Sequence, residues 1–127
     1  MKVLFVIPAY NEEENIEKVL KEIKMDVKHA DILVINDCSK DNTKQIVLKN
    51  GVNCITMPFN VRYAMAVQTG IKYAYENDYD YVIQFDADGQ HIASEAEKLY
   101  KKAIETDSDI VIGSRYLKDM GYPCPFF

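Results

Sequence analysis

Val-Leu-Phe-Val-Ile (residues 3–7) is an uninterrupted apolar run and the strongest indication of the fold in this chain. A run without polar alternation is typical of a parallel strand that is covered on both faces of its sheet. Residues 32–35 and 81–85 form two further runs of this kind, and residues 52–57 and 110–112 are weaker strand candidates. The sequence therefore predicts up to five strands, with the first of them deeply buried.

Amphipathic helical patterns lie between these runs. Their apolar residues follow the i, i+3, i+4, i+7 spacing of one helix face, and they are Ile16, Val19, Leu20 and Ile23, then Ala64, Val67, Ile71, Ala74 and Tyr75, and finally Ala96, Leu99, Tyr100 and Ala103. A short helix is also expected, with Asp41 or Ser39 as its cap and Gly51 at its end, and Ser94 is placed to cap the last helix. The alternating order predicts an α/β fold with a mostly parallel, Rossmann-like sheet and helices on both faces.

The composition limits the classes of protein to which the chain can belong. It has 127 residues, of which 48% are hydrophobic and 28% charged, and this suits one globular domain. Its 15 basic and 20 acidic residues leave a net charge of −5, which argues against nucleic-acid binding because phosphates require a basic surplus. No apolar run approaches the ~20 residues of a membrane span, and the start is too short for a secretory signal. Cys38, Cys54 and Cys124 indicate neither a disulfide framework nor a zinc site, so we expect a cytoplasmic, single-domain protein.

Polar residues follow the predicted strands, at the edge where α/β sheets bind ligands. Residues 8–15 and 36–41 are each explained as a capping loop before a helix. Asp86 and Asp88 are harder to explain in this way, because like charges beside a buried strand repel one another and lose hydration. A divalent cation reverses that cost, and Mg²⁺ is typically held by one or two carboxylates together with substrate phosphates. A solvated turn remains the alternative for this pair.

No glycine-rich loop is available to hold phosphates after the first strand, because the five glycines of the chain are isolated. A bound diphosphate would therefore depend on a metal ion and a basic side chain. Arg115 follows the last strand candidate, where a planar guanidinium can grip phosphate oxygens. The alternative for Arg115 is a surface ion pair with Asp109 or Asp119. His91, beside the aspartates, is interpreted as a residue that shapes its loop.

Four segments together resemble the family-two glycosyltransferases. They read Val-Ile-Pro-Ala-Tyr-Asn-Glu-Glu-Glu-Asn (6–15), Val-Ile-Asn-Asp-Cys-Ser-Lys-Asp-Asn-Thr (34–43), Phe-Asp-Ala-Asp-Gly-Gln-His (85–91) and Gly-Ser-Arg-Tyr (113–116). Their order and spacing match over nearly the whole chain, and they are most similar to the branch of dolichol- and polyprenyl-phosphate sugar transferases. The resemblance implies a GT-A-type fold, a nucleotide-sugar donor, a divalent metal (Mg²⁺ or Mn²⁺) and inversion at the anomeric carbon.

The resemblance also implies roles for individual residues. The donor pocket would be lined by Pro8, Tyr10, Glu12, Ile35, Asp37 and Ala87, with Asp37 accepting a hydrogen bond from the base. Asp86 and Asp88 would be the D-x-D pair of the family, Gln90 would be a further metal ligand, and Arg115 would hold the donor diphosphate. Metal and arginine would neutralise the charge that develops on the departing diphosphate. The candidate catalytic residues are therefore Asp86, Asp88 and Arg115.

The chain departs from the family pattern in two respects. Arg62 and Ala64 stand where the family commonly has glycines, and side chains there would crowd a backbone that must pass close to the donor or to a helix. The acceptor-binding part of the family follows the Gly-Ser-Arg-Tyr segment, after which only residues 117–127 remain. Residues 1–127 are therefore interpreted as a nucleotide-sugar-binding domain without the acceptor-binding part, and no general base is identified.

The resemblance leaves the acceptor open between a polyprenyl phosphate and a saccharide, in cell-wall or polysaccharide biosynthesis. A phosphate monoester, with a second pKa of about 6, is largely ionised near neutral pH and attacks without a general base. Phe126 and Phe127 would be covered by more chain, by an oligomeric partner or by a membrane surface. We accordingly expect peripheral association with the inner face of a membrane as an option, and no nucleic-acid partner.

Two alternative functions compete with a sugar transferase. A signalling module of the receiver type is also doubly wound with acidic strand ends, but it requires acidic residues after the first strand and a lysine after the last. The chain has Pro8-Ala9-Tyr10 and Ser114-Arg115 at those places, which disfavours this alternative. A catalytically silent remnant that binds a nucleotide or nothing at all is the second alternative.

Overall fold

The computed structural model describes residues 2–89 and 92–107. Four strands alternate with four helices in these residues, in the order β1 (Val3–Ala9), α1 (Ile16–Asp26), β2 (Asp31–Asn36), α2 (Thr43–Lys49), β3 (Asn53–Thr56), α3 (Arg62–Glu76), β4 (Tyr81–Gln84) and α4 (Ala93–Thr106). The strands are all parallel and are ordered β3-β2-β1-β4 across one sheet. The predicted α/β class is confirmed, while the strand candidate at 110–112 lies outside the described residues.

β1 occupies the centre of the sheet, and all seven of its residues are buried. It pairs with β2 from Leu4–Asp31 to Ala9–Asn36 and with β4 from Val3–Tyr81 to Val6–Gln84. One face of the sheet packs against α1, α2 and α4, and the other face packs against α3. Because side chains alternate along a strand, Phe5 and Ile7 enter the first core while Leu4 and Val6 enter the second. The uninterrupted apolar run is thus explained by burial on both faces.

The apolar stripe that indicated α3 coincides with its buried face only at Ala74. The buried residues of α3 are Ala66, Gly70 and Ala74, whereas Ile71 and Tyr75 are 49% and 85% exposed. The reason is the close approach of α3 to the sheet, since a Cβ added at Gly70 would lie 2.2 Å from Val6 Cγ1. Only small residues fit between α3 and the sheet. This contact face therefore cannot be predicted from the periodicity of large apolar residues.

The helix ends confirm one of the sequence predictions and correct two others. Gly51 follows the end of α2 with φ of +70°. The N-cap of α2 is Asn42, neither Asp41 nor Ser39, but Asp41, one residue earlier, accepts the backbone N–H of Thr43 at 3.0 Å on Oδ1. Ser94, however, lies inside α4 and is not its cap. The first N–H of α4, from Ala93, instead donates to Glu22 Oε2 of α1 at 2.9 Å. A carboxylate on a neighbouring helix therefore does the capping that Ser94 was predicted to do.

The described part of the chain contains no helix with the length and apolar character needed to cross a membrane, and its longest helix, α3, has 15 residues. Cys38 and Cys54 are both free thiols of intermediate burial. Cys124 lies outside the described residues.

Candidate functional site

An open cleft lies at the carboxyl ends of β1 and β4, against the first turns of α3. Its volume is about 370 Å³, and it is lined by Pro8, Ala9, Tyr10, Glu12, Asp37, Tyr63, Ala66, Asp86, Ala87 and Asp88. Ligands of open α/β sheets bind beyond the carboxyl ends of the strands, so the cleft has the expected location.

The structure brings seven of the candidate site residues to this one cleft. Those seven are Pro8, Tyr10, Glu12, Asp37, Asp86, Ala87 and Asp88. Ile35 does not line the cleft, because its side chain is fully buried in the core between the sheet and α3. Gln90 and Arg115 lie outside the described residues, as does His91. Tyr63 is a lining residue that the sequence interpretation missed.

Asp37 joins the ends of β1 and β2 to the start of α3. It is 4% exposed, and its backbone N–H donates to Ala9 O at 2.8 Å. Its carboxylate accepts two backbone N–H groups, from Val61 at 2.7 Å on Oδ1 and from Arg62 at 2.9 Å on Oδ2. A buried carboxylate at a helix N-terminus is stabilised by such bonds and by the helix dipole. Since a carboxylate offers about four lone-pair sites, Asp37 keeps the capacity to accept a further hydrogen bond from a ligand.

Arg62 has a backbone conformation that glycine normally occupies. Its φ is +70°, which for residues with a side chain costs about 1–2 kcal/mol. This conformation belongs to the turn in which the N–H groups of Val61 and Arg62 both donate to Asp37. A glycine would adopt this conformation without that strain, so the arginine at this position has a cost at the start of α3. The crowding expected from the side chains of Arg62 and Ala64 stays a prediction.

The two loops beside the cleft are fastened to each other by side-chain-to-backbone hydrogen bonds. These bonds run from Asn11 N to Ser39 Oγ (3.0 Å), Lys40 N to Asn11 Oδ1 (2.8 Å), Glu12 N to Thr43 Oγ1 (2.9 Å), Glu13 N to Asp41 Oδ2 (3.2 Å) and Asn42 N to Glu13 Oε2 (3.0 Å). The polar groups of residues 8–15 and 36–41 thus bind across the two loops, whereas the N-cap residues of α1 and α2, Asn15 and Asn42, make no capping hydrogen bond through their side chains. Each loop therefore satisfies backbone N–H groups of the other beside the cleft.

Asp41 accepts one of these bonds, from Glu13 N, and two more from the hydroxyl and the backbone N–H of Thr43. Burial raises its pKa, but hydrogen bonds from the Thr43 hydroxyl and from the backbone N–H groups of Thr43 and Glu13 outweigh this, so the pKa lies below its usual value of 3.8. Each of these bonds favours the ionised carboxylate.

Asp86 and Asp88 lie just after β4, on either side of the buried Ala87. Asp86 Oδ1 accepts a hydrogen bond of 2.7 Å from the hydroxyl of Tyr63, and the side-chain amide of Gln84 donates to the same hydroxyl. Burial raises the pKa of Tyr63 well above its ordinary range, and the hydrogen bond to Asp86 and the negative charge of that carboxylate raise it further. The Tyr63 phenol is therefore a neutral donor to Asp86 at physiological pH.

The carboxylates of this cleft suit a cation that a ligand helps to hold. Within residues 2–89 and 92–107, no group of three or more His, Cys, Asp or Glu side chains is arranged to enclose a metal ion. Asp86 and Asp88 nevertheless both line the cleft, and Mg²⁺ is commonly bound by one or two carboxylates with substrate phosphates. The donor set therefore fits an ion shared with a phosphate-bearing ligand, and it does not fit a closed protein cage.

Comparison with known proteins identifies related sequences. Residues 4–123 match the profile of Glycosyl transferase family 2. The UDP-N-acetylglucosamine–dolichyl-phosphate N-acetylglucosaminyltransferase of Methanococcus voltae is 32% identical over 130 residues, covering 89% of this chain and 51% of that protein. The chain spans about half the length of the curated relatives it matches.

Solved structures share the fold. TarS 1–349 of S. aureus, in complex with UDP, superposes with a TM-score of 0.72 at 23% identity, over 86% of this chain and 34% of that one. The mannosyltransferase PcManGT of Pyrobaculum calidifontis, in complex with GDP-Man and Mn²⁺, superposes with a TM-score of 0.62 at 23% identity, over 68% of this chain and 27% of that one. At these identities the likeness establishes the fold, which is the GT-A fold of glycosyltransferases.

Proposed function

The chain belongs to Glycosyl transferase family 2, and from this premise we propose that it forms the donor-binding part of a metal-dependent, inverting sugar transferase. The proposed reaction moves a sugar from a nucleoside diphosphate to an acceptor. The observation that carries the proposal is that the cleft brings Asp86 and Asp88 together with Asp37, Pro8 and Tyr10. Family membership leaves the receiver-type alternative without support.

The nucleoside part of the donor is assigned to the side of the cleft formed by β1 and β2. Pro8, Tyr10, Glu12 and Asp37 line it, with Ala87 close to the metal side. Asp37 is proposed to accept an N–H of the base, which is compatible with its two bonds to α3 because carboxylate oxygens accept more than one hydrogen bond each. Ile35 supports this region from beneath, as part of the core under α3.

The diphosphate is assigned to the side formed by the end of β4. Asp86 and Asp88, with Gln90, are proposed to hold Mg²⁺ or Mn²⁺, and Arg115 is proposed to grip the phosphate oxygens. When bound, the cation would supply Lewis-acid stabilisation of the negative charge on the departing diphosphate. The two carboxylates would hold that cation beside the diphosphate, and Asp86 also accepts the Tyr63 hydroxyl at 2.7 Å.

The acceptor is proposed to be a polyprenyl phosphate or a saccharide. The lipid phosphate has the support of the Methanococcus voltae relative, whose name contains dolichyl phosphate. It also fits the cleft chemistry, because an ionised phosphate needs no general base and we identify none among the lining residues. Recognition of this acceptor at a membrane surface would use parts of the protein outside the described residues. A nucleotide-binding protein without transferase activity is the second candidate.

A thermal-shift panel tests the proposed donor site. UDP-, GDP- and dTDP-sugars are each added with Mn²⁺, with Mg²⁺ or with EDTA. At about 100 times Kd a ligand stabilises by about 2.7 kcal/mol, which raises the Tm of a domain this size by roughly 10 °C. We expect one nucleotide class to stabilise the chain only when metal is present.

Two matched variants make this test specific. Asp88→Asn should abolish the metal-dependent shift, whereas Asp78→Asn, the same chemical change at an exposed residue before β4, should leave it intact. Metal-independent binding that survives Asp88→Asn would overturn the metal assignment, and no stabilisation by any nucleotide would overturn the donor site. Sugar transfer to lipid-phosphate acceptors by the 127-residue chain would exclude the silent alternative.

A further inference from the structure

A short hydrogen-bonded chain connects the edge strand β4 to Asp86 through α3. The side-chain amide of Gln84 donates to the Tyr63 hydroxyl, and that hydroxyl donates to Asp86 Oδ1 at 2.7 Å. Tyr63 is the second residue of α3, and its side chain, 48% exposed, lines the cleft. It belongs to neither the D-x-D segment nor the nucleoside-facing loops, and its hydroxyl links α3 to Asp86.

The direction of each hydrogen bond follows from the groups themselves. An ionised carboxylate only accepts, so the single phenol proton of Tyr63 points to Asp86. The phenol oxygen must then accept from Gln84, and only the NH₂ end of that amide can donate. The arrangement thus has one consistent set of proton positions, and it presents a neutral donor to one oxygen of Asp86.

The same turn of α3 holds the opposite side of the cleft. The backbone N–H groups of Val61 and Arg62 bind Asp37, and the side chain of the next residue, Tyr63, binds Asp86. Three consecutive residues therefore fix two carboxylates that the proposed function assigns to the base and to the cation.

We propose that Tyr63 is a positioning residue of the metal site, which holds the Asp86 carboxylate in its ligating orientation and fixes its distance from the nucleoside side of the cleft. The proposal rests on the proposed function, since it requires Asp86 to be a metal ligand. Hydrogen bonds to ligating carboxylates typically change metal affinity by about 10–100-fold when they are removed. Tyr63→Phe removes only the hydroxyl and keeps the ring, so the packing at the start of α3 is retained.

The test is a Mn²⁺ titration of the 127-residue chain with the nucleoside diphosphate that the thermal-shift panel selects, in which free Mn²⁺ is quantified by its electron paramagnetic resonance signal and a titration of the nucleotide alone is subtracted. The comparison is between wild type, Tyr63→Phe and Tyr75→Phe, the last being the same change at a tyrosine of α3 that is 85% exposed. We expect Tyr63→Phe to weaken Mn²⁺ binding about tenfold and Tyr75→Phe to leave it unchanged. Circular dichroism of each metal-free variant establishes that the fold is intact.

A second variant separates positioning from general disturbance of the turn. Gln84→Met removes the amide donor but leaves the Tyr63 hydroxyl able to donate to Asp86, so it should weaken Mn²⁺ binding less than Tyr63→Phe does. If Tyr63→Phe binds Mn²⁺ as tightly as wild type, or more tightly, the role of Tyr63 is wrong while the metal site stands. If wild type binds no Mn²⁺, or if Asp86→Asn does not reduce its binding, the metal site itself is wrong, and the role of Tyr63 is overturned with it.

Discussion

The backbone N–H of Arg62 donates to Asp37 Oδ2 at 2.9 Å, and Arg62 makes this bond from a left-handed conformation with φ of +70°. The buried carboxylate and the strained residue are parts of one feature, the turn through which the chain enters α3. The turn directs the N–H groups of Val61 and Arg62 at the same carboxylate. It therefore couples the stability of α3 to the shape of the cleft.

Arg62→Gly should stabilise the chain by about 1 kcal/mol. Glycine removes the left-handed strain of about 1–2 kcal/mol, and its greater unfolded-state entropy offsets part of that gain. The substitution also removes a positive charge from the N-terminus of α3, where the helix dipole disfavours it. Urea denaturation measures the difference, and Arg62→Ala is the matched control because it removes the charge but retains the strain. A glycine variant less stable than the alanine variant would contradict this account of the turn.

Gly70→Ala should destabilise the chain by about 1–2 kcal/mol. The new Cβ would lie 2.2 Å from Val6 Cγ1 and 2.9 Å from Val6 Cγ2, and β1 lies between two paired strands and cannot easily yield. Overpacking of this kind costs about 1–3 kcal/mol, which exceeds the gain of about 1 kcal/mol in helix propensity. The double variant with Val6→Ala provides the control, because the two changes should then be less destabilising together than the sum of their separate effects. Strict additivity would show that the contact does not limit the packing of α3.

Glu22→Ala should destabilise the chain by about 1 kcal/mol, because it removes the acceptor of the first N–H of α4. Glu17→Ala is the control on the same helix, where an exposed ion pair with Lys21 contributes little. Amide hydrogen exchange gives the specific readout, since Ala93 should lose protection in the first variant and keep it in the second. Equal protection of Ala93 in both would show that Glu22 does not cap α4.

The lowered pKa of Asp41 predicts that its contribution to the stability of the fold decreases at acid pH. Its pKa in the folded chain is below the usual value of 3.8, so it stabilises the folded state above that value, and the stabilisation is lost as the pH falls through the folded-state pKa. Asp41→Asn should therefore be less stable than wild type near neutral pH, with a difference that shrinks below about pH 4. Urea midpoints measured across that range test this, and a difference that grows towards acid pH would contradict it.

The sequence predicted the fold well because the buried strands are marked by composition alone. The run at 3–7 is typical of a strand covered on both faces, and the alternation of strands and helices that follows it leaves few other topologies. The helix α3 was predicted, but most of its buried face was not. Ile71 and Tyr75 are exposed, whereas the small residues Ala66, Gly70 and Ala74 pack against the sheet. The periodicity of large apolar side chains does not reveal a helix face of small residues that lies close to a sheet.

The sequence also predicted part of the lining of the cleft. Residues that directly follow strands could be assigned to the cleft, because the carboxyl ends of parallel strands meet at one edge of the sheet. Tyr63 could not, since its contact with Asp86 depends on how the first turn of α3 lies against β4. The hydrogen bonds of Asp37 to the start of α3 could not be predicted either, because their donors are backbone N–H groups 24 and 25 residues away in the sequence.

The central claim, that Asp86 and Asp88 hold a divalent cation against the donor diphosphate, is tested most directly by crystallography. The chain would be crystallised with Mn²⁺ and the nucleoside diphosphate selected by the thermal-shift panel, and the anomalous scattering of manganese would locate the ion. The account predicts one anomalous peak within roughly 2.0–2.6 Å of a carboxylate oxygen of Asp88 or Asp86 and of a diphosphate oxygen. A nucleotide bound in the cleft with the manganese peak elsewhere, or with none, would contradict it.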